Sequence, residues 1–177
     1  MGYRYYWPPN DIYFGAGVKG LIDYLAVETN ERNYFFVNLN AYSLISSFHF
    51  FSHANELRKK IVIISSPRLS PLAEFWLAEN DNIIAAFSCF DMPDNIVRQL
   101  IQHQPGEKIA NINVRSTVKV NRKDIITMKY FLYESGMKEL TERFINSPST
   151  VYRWRKCISE KFGVKEPRHL LIPEKLT

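Results

Sequence analysis

Residues 60–65 read KIVIIS, a short apolar run rich in β-branched side chains. Such a run is typical of a strand that is buried on both faces, as in a parallel sheet. Similar runs precede and follow it, namely YFFVNL at 34–39 and NIIAAF at 82–87, and YRYYW at 3–7 is a further strand candidate. Apolar residues at helical spacing separate the runs, and the last of these helical segments opens at Pro93. We therefore predict an α/β unit over residues 1–104, with four parallel strands and helices on the faces of the sheet.

Composition and targeting signals restrict the class of protein. The chain has 177 residues, of which 46% are hydrophobic and 14% aromatic, so it can bury a core and is not a disordered chain. Its first residues lack the apolar segment of a secretory signal, and no apolar run is long enough to span a bilayer. Cys89 and Cys157 do not have metal-ligand spacing. We expect a cytoplasmic protein with reduced thiols that uses no membrane, metal or cofactor.

Positive charge is concentrated in the last third of the chain. Residues 1–117 contain 10 Lys and Arg against 11 Asp and Glu, whereas residues 118–177 contain 13 against 7. Between the two, PGEKIANINVRST at 105–117 contains Pro-Gly and has no period, which predicts a linker. A basic module next to a neutral one indicates a polyanionic partner, most often nucleic acid, although a solubilising surface would look the same.

The segment DIYFGAGVKG at 11–20 contains the Gly-x-Gly-x-x-Gly spacing of dinucleotide-binding loops. That motif requires a strand that runs directly into the first glycine and an acidic residue about twenty positions later. Here Pro8 and Pro9 intervene, and the later position offers Asn38 and Asn40 instead of a carboxylate. We interpret the glycines as close-packing positions on a first helix, and an NAD-binding enzyme remains the least favoured reading.

The segment SPSTVYRWRKCISEKFGV at 147–164 predicts a helix that begins at Ser147 and Pro148, an N-cap followed by proline at the first helical position. Val151, Trp154, Ile158 and Phe162 fall on one side of this helix, and we expect Trp154 in the core. The preceding MKELTERFIN at 137–146, with Leu140 and Phe144, predicts another helix after a short turn. Two helices so joined form a helix-turn-helix whose second helix enters the major groove of DNA.

These residues resemble the DNA-binding domain of LuxR/FixJ-type regulators. The resemblance rests on VNRKD at 120–124, KELTERF at 138–144, SPSTV at 147–151 and KFGV at 161–164, all in register without a gap. It implies a four-helix domain over 118–177 that ends in a short helix near Leu170, Leu171 and Ile172. It further implies base-reading roles for Tyr152, Arg153 and Lys156, and phosphate contacts for Thr150, Arg155 and Lys161.

A LuxR/FixJ-type tail usually follows a phosphoacceptor receiver domain, and residues 3–104 resemble a reduced, flavodoxin-like receiver. In this alignment Asn38 occupies the position of the phosphoacceptor aspartate, only Asp11 stands at the acidic pair, Ser65 keeps the hydroxyl, and Cys89 replaces the lysine. An amide cannot form an acyl phosphate, so we expect no aspartyl phosphorylation. Through Trp7 to Phe14 and Phe36 to Leu44, the chain also resembles the atypical LuxR-type regulators of fimbriae and capsule in enteric bacteria, among them the common-pilus regulators of EcpR/MatA type.

Two functions follow as hypotheses. The first is a non-enzymatic, sequence-specific transcription regulator, with activation the expected sense, that binds double-stranded DNA as a homodimer or as a heterodimer with a response regulator. The second is a protein-interaction module that pairs with or sequesters another regulator without binding DNA on its own.

Overall fold

The chain forms an α/β structure with additional C-terminal helices. The computed structural model describes residues 5–29, 33–112, 119–132, 138–139, 142 and 147–171. Most of the predicted first helix of the helix-turn-helix, including Leu140 and Phe144, and also Ile172, lie outside the described residues. Lys138, Glu139 and Glu142, which belong to that predicted helix, are helical.

Within the described residues, five parallel strands form one sheet in sequential order. They are β1 (Tyr6–Trp7), β2 (Tyr34–Leu39), β3 (Lys60–Ser65), β4 (Ile83–Ser88) and β5 (Ile109–Asn111). The predicted count of four strands was wrong, because β5 pairs with β4 from within the segment predicted to be a linker. Flavodoxin-like sheets have the order 2-1-3-4-5. The sequential order arises because α1 ends at Thr29 and β2 begins at Tyr34, which leaves no room for a further strand–helix pair between them.

Six helices have both of their ends within the described part of the chain. They are α1 (Ile12–Thr29), α2 (Leu44–Ser52), α3 (Ser70–Glu79), α4 (Pro93–Gln102), α5 (Arg122–Leu132) and α6 (Pro148–Lys161). A 3-10 turn, which is also the last described element, covers Pro167–Leu171. The predicted helix starts at Pro93 and Pro148 are confirmed.

Two apolar layers sandwich the sheet. Phe35 and Val37 of β2 face α2 and α3, whereas Phe36 between them faces α1 and α4. This alternation follows from the two-residue period of a strand. Every connection leads to the neighbouring parallel strand in the same direction across the sheet. A connection whose helix lies on one face therefore has the opposite handedness to a connection whose helix lies on the other face. Fully buried residues such as Phe36 contribute about 1.5–3 kcal/mol each to the hydrophobic stabilisation.

The glycines of the Gly-x-Gly-x-x-Gly segment lie inside α1 and not in a loop between a strand and a helix. Gly15 is buried against the side chain of Tyr6, and a Cβ atom at Gly15 would lie 2.3 Å from Tyr6 Cζ. Close packing is therefore confirmed for Gly15. Gly17 and Gly20 have no heavy atom within 4 Å of the same position, so packing within the chain does not explain them.

The C-terminal helices pack on the α2 and α3 side of the sheet. Met128 of α5, Ile158 of α6 and Leu170 of the 3-10 turn are buried in the same apolar cluster as Phe51 and Leu72. Described residues on both sides of the segment 105–117 therefore share one apolar cluster. The recognition-helix candidate α6 packs on α5 and on the 3-10 turn, and its Ile158 belongs to the same apolar cluster as the sheet residues.

Polar contacts cross the same junction. Arg68 Nη1 donates a hydrogen bond of 3.0 Å to the carbonyl oxygen of His169. The Arg122 guanidinium pairs with Glu79 Oε2 at 2.8 Å on the surface. Exposed pairs of this kind contribute about 0–1 kcal/mol, so the orientation of the C-terminal helices depends mainly on the apolar cluster.

Candidate nucleic-acid interface and the altered phosphoacceptor site

Helix α6 carries the predicted base-reading residues. Its backbone becomes helical at Pro148, and Ser147 before it is extended, as expected of an N-cap residue. The Ser147 hydroxyl makes no capping bond to the backbone and lies 2.7 Å from Ser149 Oγ instead. Val151 and Ile158 are buried, so α6 presents one face to the core and the opposite face to solvent.

The structure brings Tyr152, Arg153 and Lys156 together on the solvent face of α6. All three are exposed, and Tyr152 has 67% of its surface accessible. Residues four apart are neighbours on a helix, so Tyr152 and Lys156 adjoin and Arg153 flanks them. This face offers an aromatic hydroxyl, a guanidinium and an ammonium group to a partner, with no described acidic partner paired to Arg153 or Lys156.

The predicted phosphate-contacting residues do not form one patch. Thr150 is half-buried at the edge of the exposed face. Arg155 is half-buried on the other edge, and its Nε atom is buried without a hydrogen-bond partner among the described residues. Lys161 is turned away from the exposed face and paired with Asp124 of α5. Its ammonium group is therefore committed to a carboxylate within the chain.

Asp124 joins the start of α5 to the end of α6. Its backbone N–H donates to Asn121 Oδ1 at 3.0 Å, and its Oδ2 accepts from the Asn121 backbone N–H at 2.9 Å, which is a capping box. The same carboxylate oxygen contacts Lys161 Nζ. Asp124 was not among the residues selected from the sequence, although the Asn-x-x-Asp spacing is a recognisable capping signal.

Trp154 is not a core residue, and that expectation was wrong. The side chain is half-buried and lies outside the apolar cluster. The Lys123 ammonium group of α5 sits over the indole at 3.8 Å from its centroid, in cation–π geometry. Lys123 is therefore held against the side of α6 that carries Trp154.

The altered phosphoacceptor position lies at the carboxyl end of β2. Asn38 Nδ2 donates a hydrogen bond of 2.8 Å to Asp11 Oδ2, and Asp11 Oδ1 accepts the Phe14 backbone N–H at 3.0 Å. Both carboxylate oxygens of Asp11 are thus engaged, one by Asn38 and one as the N-cap of α1. The two positions form an amide–carboxylate pair.

The other two receiver positions keep no phosphate-handling chemistry in this geometry. The Ser65 hydroxyl is buried and donates to the carbonyl oxygen of Ser66 at 3.0 Å. Cys89 follows β4, is exposed, forms no disulfide and supplies no cation. In the described part of the chain, no three His, Cys, Asp or Glu side chains are grouped so as to hold a metal ion.

We predict that Asn38→Asp lowers the free energy of unfolding by about 1–3 kcal/mol at neutral pH, since it sets two carboxylates at hydrogen-bond distance in place of a bonded pair. Urea denaturation measures the change. The double variant Asp11→Asn/Asn38→Asp is the matched control, because it exchanges the two groups and retains an N-cap acceptor at position 11. We expect the double variant to recover most of the loss. A single variant as stable as the wild type would contradict the pairing.

The sheet, with an amide at the position of the phosphoacceptor, places the chain in the class of receiver-like α/β proteins. Within that class, the chain belongs to the EcpR N-terminal domain family, whose family model matches residues 3–104. Over its whole length the chain is also similar to the Vi polysaccharide biosynthesis protein TviA of Salmonella typhi, with 54% identity over 177 residues that cover 100% of this chain and 99% of that protein. No solved structure matches the chain.

The resemblance to EcpR-type proteins is thereby confirmed, whereas the four-helix LuxR-type domain and its helix-turn-helix remain predictions. Among the described residues, no helix has both the length and the apolar character needed to cross a membrane.

Proposed function

We propose that this protein is a sequence-specific DNA-binding transcription regulator that controls surface-structure genes, fimbrial or capsular, without aspartyl phosphorylation and without enzymatic activity. The observation that carries the proposal is the exposed Tyr152–Arg153–Lys156 face on a helix whose opposite side is buried. An arginine can donate two hydrogen bonds to guanine O6 and N7 in the major groove. Tyrosine and lysine supply further donors beside it.

The charge distribution supports the same proposal. Residues 118–177 contain 13 Lys and Arg against 7 Asp and Glu. Lys123, whose ammonium group lies over Trp154 on another side of α6, adds a further cation to this basic region. In this revised assignment Thr150 contacts the DNA backbone, and Lys161 has a structural role instead.

The gene class is taken from the relatives. TviA is named for Vi polysaccharide biosynthesis, and the matched family is named for EcpR. The amide at Asn38, bonded to Asp11, supports control by abundance or by a protein partner and not by phosphate. A cytoplasmic location follows from the DNA target.

A protein-interaction module that captures another response regulator is the second candidate. The exposed aromatic ring of Tyr152, at a position where a basic residue would favour DNA, supports it. Such a module would pair with a full response regulator and would show no DNA affinity of its own.

Fluorescence anisotropy of the purified chain against labelled upstream duplexes and a scrambled duplex, across a salt series, tests the proposal. We expect log affinity to fall linearly with log salt, with a slope of about −0.9 per phosphate contacted, and one upstream duplex to retain binding at higher salt than the scrambled one. Equal affinity for all duplexes would show that the binding is not sequence-specific. Absence of binding at low salt would favour the interaction module.

A further inference from the structure

An exposed apolar stripe runs along α1 on the side of α4. It consists of Tyr13, Gly17, Gly20, Tyr24 and Val27, at alternating spacings of four and three residues. Tyr13 is 85%, Tyr24 55% and Val27 82% exposed. Spacing of this kind keeps side chains on one side of a helix and is that of a helix–helix contact seam. The stripe contains no charged residue, and it spans about 21 Å at 1.5 Å per residue.

The two glycines of the stripe are unexplained by the folded chain itself. Gly15, two residues before Gly17 and on the opposite side of α1, is needed because Tyr6 packs against it, whereas added Cβ atoms at Gly17 and Gly20 would meet nothing. A glycine inside a helix is less favourable than alanine by about 0.5–1 kcal/mol. Two glycines on an exposed helix face are explained if a second helix packs closely against that face. The distance between two packed helices depends on the side chains at their contact, and glycine allows the shortest distance.

A groove adjoins the stripe. It lies between α1 and α4, has a volume of about 420 Å³ and is bounded on the α1 side by Gly17, Gly20 and Tyr24. Pro93 and Val97 of α4 form the opposite wall. The volume of the groove is large enough to hold an aromatic side chain, and its lining is largely apolar.

We propose that α1 is the contact surface of a homodimer, in which the stripes of two copies pack antiparallel across a two-fold axis. The order Tyr13–Gly17–Gly20–Tyr24 reads large–small–small–large, so it is the same from either end. When two such stripes run antiparallel, Gly17 of one copy lies opposite Gly20 of the second copy, and Tyr13 lies opposite Tyr24. A two-fold contact requires this self-complementarity, because the same patch must serve both partners.

A second copy fits the stripe better than a small molecule does. The apolar pattern continues over four turns, beyond the groove, as far as Val27. A small molecule would account for the groove but not for the exposed ends of the stripe at Tyr13 and Val27. The inference concerns α1 alone and does not depend on DNA binding, so it is tested in the absence of DNA.

Sedimentation equilibrium of the full chain measures the dimer. We expect a concentration-dependent dimer for the wild type, and at least a tenfold weaker dimer for Gly17→Leu/Gly20→Leu, because the branched side chains hold the helices apart. Lys19→Leu is the matched control: it adds the same side chain to α1 outside the stripe, and its dimer should be unchanged. Thermal unfolding at a concentration where all variants are monomeric shows that the leucines leave the fold intact, as the open space at both glycines predicts.

Disulfide formation tests the register. In a Cys89→Ser/Cys157→Ser background, a mixture of the Gly17→Cys and Gly20→Cys variants should form a disulfide-linked heterodimer on mild oxidation, and Lys19→Cys should not form a linked dimer. A wild type that stays monomeric at high micromolar concentration, or a dimer insensitive to the leucines, would overturn the proposal. A monomer that retains a small molecule in native mass spectrometry would also overturn it and assign the groove to a ligand.

Discussion

Replacing Asp124 with alanine is expected to lower the free energy of unfolding by about 2–4 kcal/mol. The carboxylate is 11% exposed and pairs with Lys161, whose side chain is 18% exposed. Alanine removes the capping acceptor of the Asn121 N–H and leaves the Lys161 ammonium group partly buried without its counter-charge. Loss of one partner from a buried pair is costly because the desolvated charge remains.

Three further variants separate the two contributions. Asp124→Asn retains an oxygen that can accept the Asn121 N–H, so it should lose only the ionic part. Asp124→Asn/Lys161→Met removes both charges, and we expect it to be more stable than Asp124→Asn alone, because no ion is then left unpaired. Glu160→Ala changes an exposed carboxylate on the same helix and should shift stability by less than about 0.5 kcal/mol.

Urea denaturation measures these changes, provided that all variants show the same dependence of the unfolding free energy on urea concentration. A changed dependence would report a change in the surface exposed on unfolding and not only in stability. If Asp124→Ala unfolded at the wild-type midpoint, the Asp124–Lys161 pair would not hold α6 against α5. Lys161 would then be available to contact phosphate, as the family resemblance first implied.

The strands and helices of the front of the chain were largely predictable because their own residues determine them. YFFVNL and KIVIIS form β2 and β3 at the predicted residues, since both are buried runs of β-branched and aromatic side chains. β5 was missed because Ile109–Asn111 carries no period of its own. Its stability comes from pairing with β4, a partner more than twenty residues away that a local pattern does not reveal.

In the candidate site, the sequence predicted only the residues whose exposure depends on a single helix. The exposed position of Tyr152, Arg153 and Lys156 follows from helical geometry around the buried Val151 and Ile158. The roles of Trp154 and Lys161 depend on α5, whose Lys123 and Asp124 reach them from more than thirty residues away. The periodicity of α6 places Trp154 at the border between its buried and exposed sides. Whether the indole is buried or exposed there depends on the contacts that α5 makes with it.

Loss of the Arg153 guanidinium is expected to have the largest effect on recognition. We predict that Arg153→Ala weakens binding to the preferred duplex by about 1–3 kcal/mol, or roughly 5- to 150-fold, and relaxes the preference at one base position. The side chain is exposed, so the stability of the fold should be unchanged. A binding loss with intact stability therefore reports the lost contact with a base.

Arg98→Ala is the matched control for Arg153→Ala. Arg98 is an exposed arginine on α4, hydrogen-bonded to Asn95 at 2.7 Å, and its replacement removes the same charge away from α6. Anisotropy titrations of both variants against the preferred duplex, its single-base substitutions and a scrambled duplex separate base reading from general electrostatic attraction. An equal loss on every duplex would make Arg153 a phosphate contact, because phosphate contacts carry no sequence information. An unchanged affinity and an unchanged base preference would remove Arg153 from the interface, and with it the observation on which DNA recognition by α6 depends.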